Sequence, residues 1–257
     1  MVVSASSDEQ VVWHDLECGS YAADLPLWFE LADAAATGER ASVIDIGAGS
    51  GRVAIELARR GHHVTAVERD APLLAALRER AGAIPAASVE PVCADARTLA
   101  LDRHDFDLCV VAMQTIQMFA GAAARGSFLC AAREHLTPGG VLACAIVIDV
   151  DAFDCAAGDL GPSPEIANVD GASFISKPTR VRVGKRTISI ERERRIVPAR
   201  SAPARRRAFE RDAVQLDRVS VAQLQREGRE AGLTVLDARE IPATDEHAGS
   251  VAVVFSA

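Results

Sequence analysis

The run Val43-Ile-Asp-Ile-Gly-Ala-Gly-Ser-Gly-Arg52 constrains this chain more than any other segment. Ser42 to Ile46 is a short apolar stretch and reads as a buried strand. It runs into glycines at 47, 49 and 51, which mark a tight bend. Val53, Ile55, Leu57 and Ala58 then continue as a helix to Arg60, stopped by Gly61. A glycine bend between strand and helix puts no side chains in the way of a ligand, and a helix start offers unpaired N–H groups. A dinucleotide loop would place its third glycine at 52, where this chain has Arg, so the G-x-G-x-x-G spacing fails.

The strand-then-helix rhythm repeats. His63 to Val67 reads as a second strand and Pro72 to Ala81 as a helix with Pro72 in its first turn. Val89 to Cys93 and Phe106 to Ala112 read as strands, Gly126 to His135 as a helix, Thr137 to Gly140 as a turn, and Val141 to Ile148 as a strand. Strands alternating with helices predict a doubly wound α/β fold with a mostly parallel sheet and right-handed crossovers. The tail differs. After an amphipathic helix over Val219 to Gly232, strands over Leu233 to Ile241 and Ser250 to Phe255 are joined by only eight residues, Pro242 to Gly249. That loop is too short for a crossover, so a seven-stranded sheet is expected to close on an antiparallel hairpin.

Two segments stand outside the rhythm. Residues 8–36 read as cap helices, with Pro26 separating a short first helix from a second. Residues 151–218 read as a small β-rich insertion, a lid or substrate-facing hairpin, with strands over Thr179 to Val183 and Thr187 to Val197 turning near Gly184-Lys185. Ala199 to Arg211 shows no clear period. The expected organisation is a ligand-binding domain over 1–150 and 219–257, interrupted by the insertion at 151–218.

Two acids join the glycine bend. Glu68 closes the second strand, where an α/β nucleotide site holds a ribose; a carboxylate there accepts two charge-assisted hydroxyl bonds. A solvated strand end is the plainer reading. Asp95 follows the third strand in Val92-Cys-Ala-Asp-Ala96, placed to accept from an adenine amino group or, more plainly, to cap the next turn. The first three strand tips adjoin at the switch point, where open sheets bind ligands.

Gly47–Gly51, Glu68, Asp95, Asp105-Phe-Asp-Leu-Cys-Val-Val111 and Leu136-Thr-Pro-Gly-Gly-Val141 together resemble the successive motifs of class I S-adenosylmethionine-dependent methyltransferases. The resemblance extends over residues 40–150 and less closely over 219–257, and leaves the insertion out. It implies a Rossmann-like fold and S-adenosylmethionine as cofactor. It also implies that the loop Gly47, Ala48, Gly49 and Gly51 passes the methionine and ribose portion, that Glu68 binds the ribose hydroxyls, and that Asp95 with the Ala96 N–H reads adenine. Asp45 would orient the loop, and Met113 and Gln114 would lie near the cofactor. Tyr21, in Tyr21-Ala-Ala-Asp-Leu-Pro26, resembles a contact from the helix that covers the cofactor in many small-molecule members. No Asn- or Asp-Pro-Pro-Tyr/Phe motif follows strand four, and the Asp and Asp-Asn pattern of metal-dependent members is not visible, so no metal is implied.

A sulfonium methyl is already activated, so the protein's task is to align a nucleophile and exclude water. A base is needed only for a protonated, weakly acidic acceptor. Candidates are His247, in the final hairpin loop, His14 and Gln114, with Gln117 nearby; each also has a plain reading as a solvated or backbone-bonded side chain. His62, His63, His104 and His135 read as structural. The expected activity is methyl transfer to an O, N or C atom of a small molecule. A non-catalytic sensor or scaffold that binds the same cofactor is the alternative, and an NAD-dependent oxidoreductase a further one.

At 257 residues and 49% hydrophobic, the chain can bury a large core. Its net charge of −8 argues against nucleic acid and membrane partners. Lys177 to Arg211 runs the other way, with 13 basic and 3 acidic residues. That excess suits an anionic small-molecule substrate, less so nucleic acid, because only Phe209 interleaves with the Arg residues. A solvated hairpin in an Arg-biased composition explains it equally. The six cysteines form no Cys-x-x-Cys pair, and the first twelve residues carry neither Lys nor Arg, so a cytoplasmic protein is expected.

Overall fold

The computed structural model describes residues 7–84, 88–199, 208–245 and 247–257. In chain order the elements are α1 (Ser7–His14), α2 (Leu25–Ala35), β1 (Ser42–Ile46), α3 (Arg52–Arg59), β2 (His63–Glu68), α4 (Ala71–Gly82), β3 (Ser88–Cys93), β4 (Phe106–Val111), α5 (Ala122–His135) and β5 (Leu136–Val147). There follow β6 (Phe153–Asp154), β7 (Glu165–Val169), β8 (Ala172–Val183), β9 (Thr187–Pro198), β10 (Ala208–Asp217), α6 (Val221–Glu230), β11 (Thr234–Val235), β12 (Arg239–Ile241) and β13 (Ser250–Ser256). The chain divides into two compact units. One takes the described residues up to Tyr21 and from Val150 to Arg218; the other takes Ala22–Asp149 and Val219–Ala257. The predicted cap over 8–36 is thereby split: α1 counts with the insertion, and α2 with the larger unit.

The larger unit is the doubly wound sheet. Its strand order is β11-β13-β5-β4-β1-β2-β3, with β12 also paired to β13. β11 and β12 share one edge position, so the predicted seven positions hold although the last-but-one strand is broken at 236–238. β1, β2, β3, β4 and β5 are mutually parallel. β13 runs antiparallel between β5 and the edge, with Ser250 opposite Val147.

The apolar runs explain the sheet's centre. Every residue of β4 is buried, and Ile44, Ile46, Val111, Phe128, Leu142 and Phe255 belong to one continuous core. Each such side chain contributes about 1.5–3 kcal/mol on burial. α3 buries Val53, Ala54, Ile55, Leu57 and Ala58, the stripe read from its sequence. Asp70 and Ser220 cap α4 and α6 by accepting from the N–H groups of Leu73 and Gln223. α6 lies so close to β13 that a Cβ on Gly228 would meet the Phe255 ring at 2.2 Å. α5 begins a turn earlier than predicted, after Gly121 (φ +108°). Its Arg125 forms a buried two-point ion pair with Glu227 of α6.

The predicted turn over Thr137 to Gly140 is a bulge within β5. Phe106 pairs with Leu136, yet Leu108 pairs with Val141. The chain's last residue ties the bulge down: Gly139 N–H donates to the Ala257 carbonyl, and Ala257 N–H to that of Gly140, each at 2.9 Å.

The smaller unit holds an antiparallel sheet of order β10-β9-β8-β6, with β7 also paired to β8. The predicted hairpin is present; its first strand, β8, begins at Ala172 and runs twelve residues, well before the expected Thr179, while β9 exceeds its expected range by the single residue Pro198. β10, whose first four residues fall in the stretch without clear period, pairs with β9 along its whole length. α1 covers one face, where Trp13 meets Phe174 edge-on at 4.9 Å within a core that includes Ala172 and Ile196.

Part of the basic excess of this segment is paired inside the unit. Arg180 pairs with Asp154 and Glu191, Arg192 with Glu17, and Arg194 with Glu17, Glu210 and Asp212. Arg195 and Arg211 face Glu193. Asp154, Glu17 and Asp212 lie outside the window counted in sequence; folding brings them in. Arg205, Arg206 and Arg207 lie outside the described residues. No helix among the described residues is long and apolar enough to cross a membrane.

Candidate cofactor site

The glycine bend leaves β1 in a path that only glycine adopts cheaply. Gly47, Gly49 and Gly51 have φ of +69°, +56° and +102°. A Cβ on Gly47 would also stand 2.6 Å from the Thr115 methyl group. The loop is bound to β2, since the Gly47 and Ala48 N–H groups both donate to the Val67 carbonyl, at 2.9 and 3.1 Å. Arg80 of α4 donates to the Ser50 carbonyl at 3.2 Å. Hence the bend is fixed by its neighbours; Gly47 is exposed, and Ala48 to Gly51 are buried.

Glu68 and the loop are one structure. Glu68 Oε2 accepts from Gly49 N–H at 2.9 Å, and Oε1 from Asp70 N–H at 2.8 Å. Each oxygen keeps a further lone pair for a ligand hydroxyl. Asp95 follows β3 as a cap: it accepts from Arg97 N–H at 2.9 Å, and the Arg97 guanidinium lies on both its oxygens. Arg97 beside it holds the Asp95 carboxyl down at about 2, so it is ionised. The plainer sequence reading of Asp95, an N-cap, is therefore what its side chain does in this structure. Ala96 opens the short turn that Asp95 caps.

Asp45, on β1, is 1% exposed. It accepts from Ala54 N–H, while its Oδ2 is buried with no partner. Burial pushes its carboxyl up to about 7, against the pull of Arg52 and with the help of Asp24 and Glu68. Sequence reasoning missed Asp24 and used Arg52 only to reject a dinucleotide loop. The two form a two-point ion pair at 2.6 and 2.8 Å beside the bend. The available signal was an Arg directly after the third glycine, where the first turn of α3 aims it back across the loop.

Met113 and Gln114 follow β4 as predicted. Met113 has φ +52°, a left-handed conformation rare outside glycine and costing about 1–3 kcal/mol. Gln114 opens a short 3₁₀ turn, Thr115–Met118, whose Thr115 touches Gly47. Gln117 is buried and fully engaged, donating to the Val147 carbonyl at 3.1 Å and accepting from its N–H at 2.8 Å. The tips of β4, β1, β2 and β3 thus bring Asp45, Gly47, Ala48, Gly49, Gly51, Glu68, Asp95, Ala96, Met113 and Gln114 to one edge of the sheet.

His247 lies in the loop before Ser250, at the carboxyl end of β5, and so on that same edge. Its N–H donates to Thr244 Oγ1 at 3.0 Å, and Thr244 N–H to the His247 carbonyl at 2.9 Å. β13 stands two strands from β4, roughly 10 Å at ordinary strand spacing. Tyr21 and His14 belong to the smaller unit. His62 and His135 are buried and bonded to backbone, as expected of structural histidines. Among the described residues no cluster of His, Cys, Asp and Glu could hold a metal.

The arrangement suits a nucleoside carrying positive charge. Three acids, Asp24, Asp45 and Glu68, stand at the bend against the guanidiniums of Arg52 and Arg80, and one acid oxygen is desolvated without a partner, an expensive state that a cationic or hydroxyl-bearing ligand relieves.

Residues 43–140 match the family model described as a methyltransferase domain. No curated protein matches the chain. Among solved structures, it is similar to the CcbJ methyltransferase of Streptomyces caelestis, with 22% identity, 93% of this chain and 92% of that one covered, and a TM-score of 0.66. The sugar N-methyltransferase KedS8 of Streptoalloteichus sp. gives 17%, 98%, 98% and 0.70. CalS10, an amino pentose methyltransferase of Micromonospora echinaspora solved with S-adenosylmethionine bound, gives 18%, 98%, 98% and 0.66. At these identities the likeness is one of fold. The matched stretch runs from the glycine bend through Glu68, Asp95 and β4, and over it the chain is a methyltransferase domain.

Proposed function

We propose that this chain moves the methyl group of S-adenosylmethionine to a small-molecule acceptor by in-line displacement, at an O, N or C atom. The observation that carries the reading is the convergence of the glycine bend, Glu68 and the orphaned Asp45 oxygen on adjoining strand tips. When bound, the cofactor supplies an activated methyl group. The chain's residues do the rest. The bend admits the donor's backbone-close portion, Glu68 accepts from ribose hydroxyls with its spare lone pairs, and Asp95 with the Ala96 N–H reads adenine. Asp45 and Glu68 supply negative charge beside a sulfonium. Met113 and Gln114 would lie near the cofactor, and His247 is the candidate to take a proton where the acceptor has one to lose.

Two of the similar structures are named for sugar acceptors, a sugar N-methyltransferase and an amino pentose methyltransferase. That supports an acceptor of metabolite size, amino sugars included. Its anionic character stays part of the proposal through the basic excess over Lys177 to Arg211. A cytoplasmic setting is proposed on the six free thiols, the state a reducing compartment maintains. Thermal-shift titration with S-adenosylmethionine, S-adenosylhomocysteine and NAD tests the cofactor. Stabilisation by NAD alone overturns the assignment, and donor binding without turnover on any of a panel of amino sugars, hydroxylated metabolites and carboxylates turns the enzyme into a sensor.

A further inference from the structure

Three carboxylates stand around the glycine bend, and two are spoken for. Asp24 gives both oxygens to the Arg52 guanidinium. Glu68 gives one oxygen each to the N–H groups of Gly49 and Asp70. Asp45 alone keeps an oxygen that is buried and without a partner. The groups that face it are Arg52 and Ala54 N–H from α3, Asp24 from the segment before α2, Glu68 from β2, and Cys109 from β4. The one cation among them is already tied to Asp24, and Cys109 is a buried neutral thiol. An ionised Asp45 therefore has no counter-charge of its own, and holding a proton is its cheapest state while no cationic ligand is near.

The donor and product of the proposed reaction differ in charge. S-adenosylmethionine carries a sulfonium, an ammonium and a carboxylate, so its net charge is positive; loss of the methyl leaves a thioether and a neutral zwitterion. We infer that Asp45 is the residue by which this loop tells the charged donor from the spent product, releasing its proton to solvent when the donor binds and retaining it when the product binds. The exchange balances: one proton leaves to the buffer as one positive charge enters. Burial that already lifts the Asp45 carboxyl to about 7 puts the exchange within the neutral range. The consequence is selectivity that depends on pH. At neutral pH and above the site prefers the donor, and in acid it loses that preference. The inference rests on the cofactor reading above.

The test is calorimetric titration of the whole chain with donor and with S-adenosylhomocysteine. It is run between about pH 5 and pH 7, where α-amino groups stay protonated, in buffers of differing ionisation enthalpy, which count the protons released. Near pH 6 we expect close to one proton released per donor bound, and under about a third of that for the product. The donor Kd should weaken by up to about tenfold per pH unit below 7, with a much shallower slope for the product. Asp45→Asn, checked for folding by its unfolding transition, should abolish the difference in slope while still binding both ligands. Equal proton release by donor and product, or an unchanged slope in the variant, overturns the inference and leaves the cofactor reading standing. Failure of the wild-type chain to bind either ligand overturns that reading itself, and this inference with it.

Discussion

The Arg52 guanidinium clasps the Asp24 carboxylate with two parallel hydrogen bonds, at 2.6 and 2.8 Å, and the Asp24 side chain is 1% exposed. The pair joins the entry of α2 to the first turn of α3, immediately beyond the glycine bend. It is a tie on the bend as well as a charge pair. Removing one partner of a buried pair strands the other charge and costs about 3–5 kcal/mol. Asp24→Ala should therefore lower stability to urea by that order, and the double variant Asp24→Ala with Arg52→Met should recover much of it. Losses of the two single variants that simply add in the double variant would show that the two side chains are not coupled.

Gly47 faces two obstacles to a side chain, a φ of +69° and Thr115 Cγ2 at 2.6 Å from where Cβ would sit. Gly47→Ala should cost roughly 1–3 kcal/mol in stability and displace the bend enough to weaken donor binding. Adding Thr115→Ser removes the methyl group and should restore the part of the loss that is steric. Full restoration would mean the backbone conformation itself carries no strain.

Glu68→Gln keeps shape but turns an acceptor into a donor opposite Gly49 or Asp70. We expect the donor-induced thermal shift to fall away, with a Kd increase of about 10- to 100-fold, as the loss of charge-assisted bonds implies. An isotherm matching the wild type would remove Glu68 from the binding site.

Unliganded stability should carry the signature of Asp45. Its carboxyl lies near 3.8 when unfolded and is raised to about 7 when folded. The folded state therefore binds more protons in between. The stability this group contributes is fully present below about pH 4 and is lost as pH rises through about 7, a contribution of up to roughly 4 kcal/mol. Glu17 and Glu227 are shifted down and act oppositely, gaining stability as pH rises from the acid side. The comparison that isolates Asp45 is wild type against Asp45→Asn in urea, from about pH 4 to pH 8. The variant should be the more stable of the two above pH 7, with the gap closing in acid. A pH-independent gap would contradict a buried, protonated Asp45.

The chain's order of strands and helices in the larger unit was legible from residue pattern alone, because buried parallel strands write themselves as apolar runs and their helices as stripes. The glycine bend and Glu68 were legible because few backbones need three residues without Cβ in that spacing. In the insertion the pattern was less help. Asp170-Gly171 is the short-turn pair of a tight hairpin, with φ of +48° and +72° between β7 and β8, and it was passed over. β10 hides its period because charged residues occupy both faces and find partners on β9.

Tertiary structure alone decided how the charges are distributed. Sequence counts charges along the chain, but Glu17 meets Arg194 across 177 positions and Asp24 meets Arg52 across 28. Whether an acid is free, paired or desolvated depends on which groups folding brings within a few ångströms and on how much water it removes. Asp45, Glu68 and Asp95 are alike as residues in a sequence, and burial, backbone amides and a neighbouring guanidinium make them three different groups.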